Sequence, residues 1–217
     1  MLENSPLVEG LLRIHKIISR GLNISISKCK EYRDKQGIPD NEAEGFYKYL
    51  KALRWVTHSH HLSEDEIAFP YFSSTIKAPY TRLKDDHHKI YIILEKLDKY
   101  LSETSSGKLD ELHALLEEFK SVWEPHIRIE EENFNTEKLQ PFLGMKDQLA
   151  LAQRLGDHSR KNLGPGPITL PFIFYNLEGR DREEFMRQIP WVLKKVLVPV
   201  IWKKQWDPMR PFLLAVT

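Results

Sequence analysis

Four stretches of this chain repeat apolar residues at steps of three and four, the spacing that gives an α-helix one dry face. In the first the stripe is Val8, Leu11, His15, Ile18, Leu22, Ser25, Cys29 and Tyr32. The second carries Phe46, Leu50, Leu53, Thr57, His60, Glu64 and Ile67, and the third Leu83, His87, Ile90, Leu94, Leu97 and Leu101. The fourth carries Leu112, Leu116, Phe119, Trp123, His126, Glu130 and Phe134. Start and stop signals frame them. Ser5-Pro6 offers an N-cap and a first-turn proline, and Gly37 with Pro39 closes the first segment. The second runs from Asp40-Asn41 to Phe69-Pro70, the third from Pro79 into the Ser102–Gly107 stretch, and the fourth from Lys108 to Asn135. Few stretches alternate with period two, so strands are not expected. An all-α, antiparallel up-down-up-down four-helix bundle over residues 1–138 is the fold this pattern predicts.

Charge and cysteine usage narrow the function classes. Lys+Arg 32 against Asp+Glu 31 leaves a net +1, so no bulk charge draws the chain to nucleic acid. One cysteine, Cys29, excludes an internal disulfide and a cysteine-built zinc site. No run of about 18 apolar residues suggests a transmembrane segment. Met1 to Gly10 lacks the basic start of a signal peptide, and the last residues spell no retention address. A cytoplasmic protein is expected.

Residues 139–217 have a different character and form the expected C-terminal helical and loop extension. Met145–Lys161 reads as a fifth helix, Gly164 to Pro167 as a loop, and Asp181–Gln188 as a short helix. A proline-punctuated apolar tail holds Trp191, Trp202 and Trp206. The extension is expected to dock on the bundle. Leu170–Tyr175 would wall a small-molecule pocket, or the extension would form a homodimer face. Pro190–Trp202, with Lys194 and Lys195, is too short to span a bilayer but suits a membrane surface.

The polar residues within the apolar stripes carry the chemistry. Each stripe holds a histidine: His15, His60, His87 and His126. Two add a glutamate four residues on, Glu64 and Glu130, on the same helical face. The spacing repeats, because His60 to His126 and Glu64 to Glu130 are both 66 residues, and His15 to His87 is 72. Two helical hairpins related by a pseudo-two-fold would bring all six donors to one place. Two buried carboxylates need cations, and a nitrogen and oxygen donor set suits iron, with zinc or manganese as substitutes. His113-Glu117 and His61-Asp65 share the spacing but lie off the stripes, and His58, His88 and His158 have no repeat partner.

His15, the run His60-His61-Leu62-Ser63-Glu64-Asp65-Glu66-Ile67-Ala68-Phe69-Pro70, Asp86-His87 and His126-Ile127-Arg128-Ile129-Glu130-Glu131-Glu132 together resemble the hemerythrin-like, or HHE cation-binding, family. The resemblance covers roughly residues 5–138. It implies an oxo- or hydroxo-bridged pair of non-haem iron ions that reacts with dioxygen. The implied ligands are His15, His60, Glu64, His87, His126 and Glu130.

The chain departs from the oxygen-carrying members at two ligand positions. Where they place a fifth histidine, one turn after the third-helix ligand, Tyr91 stands here. Where they use an aspartate five residues after the last histidine, Glu131 stands here. Tyr91 is positioned to line the gap left by the missing imidazole. It is a candidate catalytic residue whose phenol would donate a hydrogen bond to bound oxygen or be oxidised, or else a core tyrosine in the helix seam. Pro125, just before His126, is expected to disturb the fourth helix. The leading expectation is dioxygen binding. The alternatives are an oxidase or oxygenase using dioxygen or peroxide on a small molecule, and an iron- or redox-sensing module.

Overall fold

The computed structural model describes residues 5–103 and 109–214. The first four residues, the expected link from Thr104 to Gly107 with Lys108 after it, and the last three residues lie outside the described set. Helix α1 is Pro6–Asp34, with Ser5 as its N-cap: the Ser5 hydroxyl accepts from the Val8 amide. Helix α2 is Asp40–Ser63, continued by a π-helical turn, Glu64–Ala68, and by α3, Phe69–Phe72. Helices α4, Tyr80–Ser102, and α5, Leu109–Asn133, complete the bundle. Among the described residues there is no strand.

Each long helix packs on its two sequence neighbours, with α1 closing the ring against α5. That adjacency is an up-down-up-down four-helix bundle. The stripes turn inward as the spacing requires. Ile18, Leu22, Phe46, Leu50, Ile90, Leu94, Leu116 and Phe119 are buried in one continuous core. Pro125 sits inside α5, which runs on as one helix to Asn133.

The extension begins with α6, Thr136–Leu139, and α7, Met145–Asn162. Helix α8 is Gly166–Tyr175, so only the first two residues of the expected Gly164–Pro167 loop stay outside a helix. Helix α9, Gly179–Gln188, and a π-helix, Leu193–Ile201, follow. Helix α10, Lys203–Trp206, and a 3-10 turn, Asp207–Phe212, end the described chain.

These elements pack mainly on α2. A Cβ on Gly45 would stand 1.8 Å from the Pro208 carbonyl oxygen, so glycine is what lets the final turn reach α2. Helix α9 reaches α1 instead, where Glu184 Oε2 lies 2.7 Å from Nη2 of the buried Arg13.

Among the described residues no helix is long and apolar enough to cross a membrane.

Candidate metal centre

All six predicted donors are buried, and they meet at the middle of the bundle. His15, His60, Glu64 and Glu130 each place one ligand atom within 4.8 Å of the others. Glu64 also lies in a second group, in which its ligand atom and those of His61, His87 and His126 are all within 4.8 Å of one another. One carboxylate is therefore shared by two clusters of four. His87 Nε2 and His126 Nε2 lie 3.1 Å apart, and Glu130 Oε1 stands 3.4 Å from His126 Nε2. Two nitrogens bound at about 2.1 Å to one ion, at tetrahedral or octahedral angles, lie roughly 3.0–3.4 Å apart.

The buried polar atoms need such an ion. Among the described residues, His60 Nε2, both ring nitrogens of His61, Glu64 Oε2 and both carboxylate oxygens of Glu130 lack a hydrogen-bond partner. His15 Nε2 is 3.1 Å from Glu130 Oε2, but without hydrogen-bond alignment. Leaving this many buried polar atoms unpaired costs on the order of 1–3 kcal/mol each. A cation satisfies several at once. The donor set and its orphaned atoms fit a metal site.

The outer nitrogens are held from behind. His15 Nδ1 pairs with Glu131 Oε1 at 2.8 Å, and His87 Nδ1 with Asp65 Oδ1 at 2.9 Å. Such contacts fix the ring plane and aim Nε2 inward. The Tyr91 hydroxyl donates to Asp65 Oδ2 at 3.1 Å, so it braces the carboxylate behind His87. The Trp123 indole stands against the imidazoles of His15 and His60, with its N–H donated to Ser19 Oγ.

Electrostatics prepare the donors unequally. Burial, reinforced by neighbouring imidazoles, holds His60 and His61 well below the ordinary histidine range, which leaves them neutral. Burial and the nearby Glu130 push the Glu64 carboxyl well above its ordinary value. Burial opposes the charge on Glu130 too, yet the surrounding His126, His15 and His87 hold it well below. For His15 and His87 burial is outweighed by carboxylates: Glu130 with Glu131 raises the first, and Asp65 with Glu130 the second.

His61 was not expected here. The 66-residue offset that pairs His60 with His126 pairs His61 with Ile127, an apolar residue, so the repeat gives no hint of it. Yet His61 is fully buried, stacked on the His87 ring at 4.2 Å. The reason is geometric. Helix α2 packs on both α1 and α4, so its inward arc is wider than one stripe. His60 faces His15 on α1, while His61, about a hundred degrees round, faces His87 on α4. The tandem histidine was the available signal. It brings to the cluster an imidazole where Tyr91 offers none.

The remaining histidines stay outside. His88 is exposed, and His113 lies at the surface between Arg33 Nη1, 3.5 Å away, and its helical neighbour Glu117 at 3.7 Å. His58 rests against the Tyr91 ring. His158, on α7, bridges Ser63 Oγ at 3.0 Å and Glu66 Oε2 at 2.7 Å, from behind the Glu64 turn. Of the expected pocket wall, Leu170–Tyr175, the residues from Pro171 to Tyr175 are buried, and Leu170 packs half-buried against the core. Phe172 is buried against Tyr49, and a Cβ on Gly21 would stand 2.6 Å from its ring. Leu53 shares that contact, two turns along α2 from His60.

Compared with protein families, residues 7–137 match the hemerythrin HHE cation binding domain. Neither a curated protein nor a solved structure matches the chain.

Proposed function

The chain belongs to the hemerythrin HHE cation-binding domain family, and from that premise we propose that its buried cluster holds two iron ions and binds dioxygen. The observation that carries this reading is the shared Glu64. Two groups of four buried donors with one carboxylate in common support a reading in which two ions would sit side by side. His15, His60 and Glu130 would complete one side, and His61, His87 and His126 the other. Donors of nitrogen and oxygen without thiolate match iron, with zinc and manganese as the competitors. When bound, a ferrous pair supplies the electrons that dioxygen needs in order to be held.

The chain's own part is preparation. His60 and His61 stay neutral and ready to ligate, because burial opposes their protonation. Glu131 and Asp65 orient His15 and His87. Trp123, and Phe69 stacked on His87 at 5.3 Å, shield the donors from water. A dry, enclosed site of this kind suits a diatomic ligand.

Metal analysis with an optical spectrum tests the reading. Two irons per chain and the near-ultraviolet absorption of a bridged ferric pair are expected. Less than one metal per chain, of any kind, would overturn it. Air exposure of the ferrous form then separates functions. A reversible spectral change supports carriage, whereas rapid irreversible oxidation supports catalysis or sensing.

A further inference from the structure

Between Glu184 and Asp207 the chain has no acidic residue and five cations, Arg187, Lys194, Lys195, Lys203 and Lys204. In a protein of net charge +1 that is a strong local asymmetry. The same segment carries the three most exposed large apolar side chains among the described residues, Trp191, Val200 and Ile201, with Val192 beside them. Trp191 and Val200 are each 66% exposed, Ile201 58% and Val192 47%. They are not scattered. In a helix closed by i→i+5 bonds, residues alternately four and five apart stack along one side. Lys195 and Val200 form one row and Val196 and Ile201 the next, and Trp191 and Val192, in the α-helical turn that leads in, stand four residues before Lys195 and Val196 on the same side.

The opposite side is anchored. Val198 is buried, and its carbonyl accepts the Trp206 indole N–H at 2.7 Å. Trp206 in turn lies against Tyr175 of α8, at 5.1 Å between rings. The orientation of the segment is therefore fixed, with its apolar row turned out. Lys195, Lys203 and Lys204 are exposed beside it, and Arg187 shares a shallow cleft with Lys194, Lys195 and Glu183.

We propose that this face docks on an anionic phospholipid surface, with Trp191, Val192, Val200 and Ile201 entering the headgroup boundary and the lysines pairing with lipid charges. A membrane-surface helix combines an apolar face, a tryptophan and flanking cations in this way. A second copy of the chain is the weaker occupant. A two-fold contact would set the lysines of one copy against those of the other, and like charges oppose docking. An anionic bilayer pairs with all of them. The surface is independent of the metal site and goes beyond the proposed oxygen chemistry.

Co-sedimentation of the full chain with vesicles tests it. Binding is expected with vesicles of phosphatidylcholine and phosphatidylserine, falling as salt is raised, and not with phosphatidylcholine alone. Lys195→Glu, Lys203→Glu and Lys204→Glu together should weaken binding roughly 100-fold or more, from about five-fold per lost charge. Trp191→Ala should weaken it without flattening the salt dependence. Equal binding to both vesicle types, or none to either, overturns the proposal. So does a dimer that Trp191→Ala dissolves while vesicles are ignored. The wild-type comparison stands whether or not a variant folds.

Discussion

His87 and His126 point their Nε2 atoms at each other across 3.1 Å, from helices α4 and α5. Two such nitrogens attract only if a proton or a metal lies between them. Their Cα atoms belong to different helices, so the bundle's packing sets this distance. Filling the site should therefore tighten the whole bundle rather than one loop.

Removing a central ligand should remove the metal. His60→Ala or Glu130→Ala is expected to lose most bound metal and to lower the melting temperature, whereas His113→Ala should change neither. Elemental analysis and thermal denaturation read both. Full metal content in Glu130→Ala would exclude that carboxylate from the site.

His61 should count as a ligand despite its absence from the repeat. His61→Ala is expected to halve the bound metal, since Glu64, His87 and His126 lose a partner while His15, His60 and Glu130 keep theirs. Metal stoichiometry decides it, with a shifted absorption spectrum as the second readout. Unchanged stoichiometry and spectrum would return His61 to the role of a packed core residue.

Chelation should destabilise the fold. Ligands that bind only the native state add roughly 3–4 kcal/mol at concentrations 100 to 1,000 times their dissociation constant. A fall of several degrees in melting temperature on metal removal, restored by ferrous iron under anaerobic conditions, is the expected result.

Cys29 provides a built-in reporter of that loss. It is fully buried, and burial pushes its thiol up to about 12, with Arg33 only partly opposing. A group raised this far is protonated throughout the neutral range. A thiol reagent at pH 8 should leave the metal-loaded protein unmodified and label the denatured chain fully. Labelling should quicken when the metal is chelated.

Gly45→Ala tests how the extension is held. The added carbon would meet the Pro208 carbonyl oxygen at 1.8 Å, a backbone atom that has no side-chain freedom to yield. A loss of about 1–3 kcal/mol, or more, is expected, with faster proteolysis near residues 203–212. Denaturant melts and limited proteolysis measure the two effects. Gly10→Ala, with nothing within 4 Å of the added carbon, is the control.

Much of this molecule was legible in the order of its residues. The helix limits at Pro6 and Tyr80, the inward stripes and the meeting of His15, His60, Glu64, His87, His126 and Glu130 all follow from period and offset. What escaped had a physical cause. His61 was hidden because a bundle helix faces two neighbours, and a single stripe records only the seam between them. The bracing roles of Glu131, Asp65 and Tyr91 depend on side-chain reach between helices, which spacing along one chain does not encode. Phe69-Pro70 looked like a helix end. The chain passes through it to Phe72, because a proline near the start of a new helical turn lacks only an N–H that the preceding π-turn leaves unused.

The wide turn at Glu64–Ala68 holds one residue more than an ordinary helix would need. Shortening it by one would leave His60, His61 and Glu64 where they stand but rotate Phe69–Phe72 by about 100°, with the break before Tyr80 absorbing the change. Phe69 would then swing off the His87 ring and open that end of the chamber to solvent. How dry the donors stay is thus governed by backbone length at one place, and insertions or deletions there would retune the site without touching a single ligand.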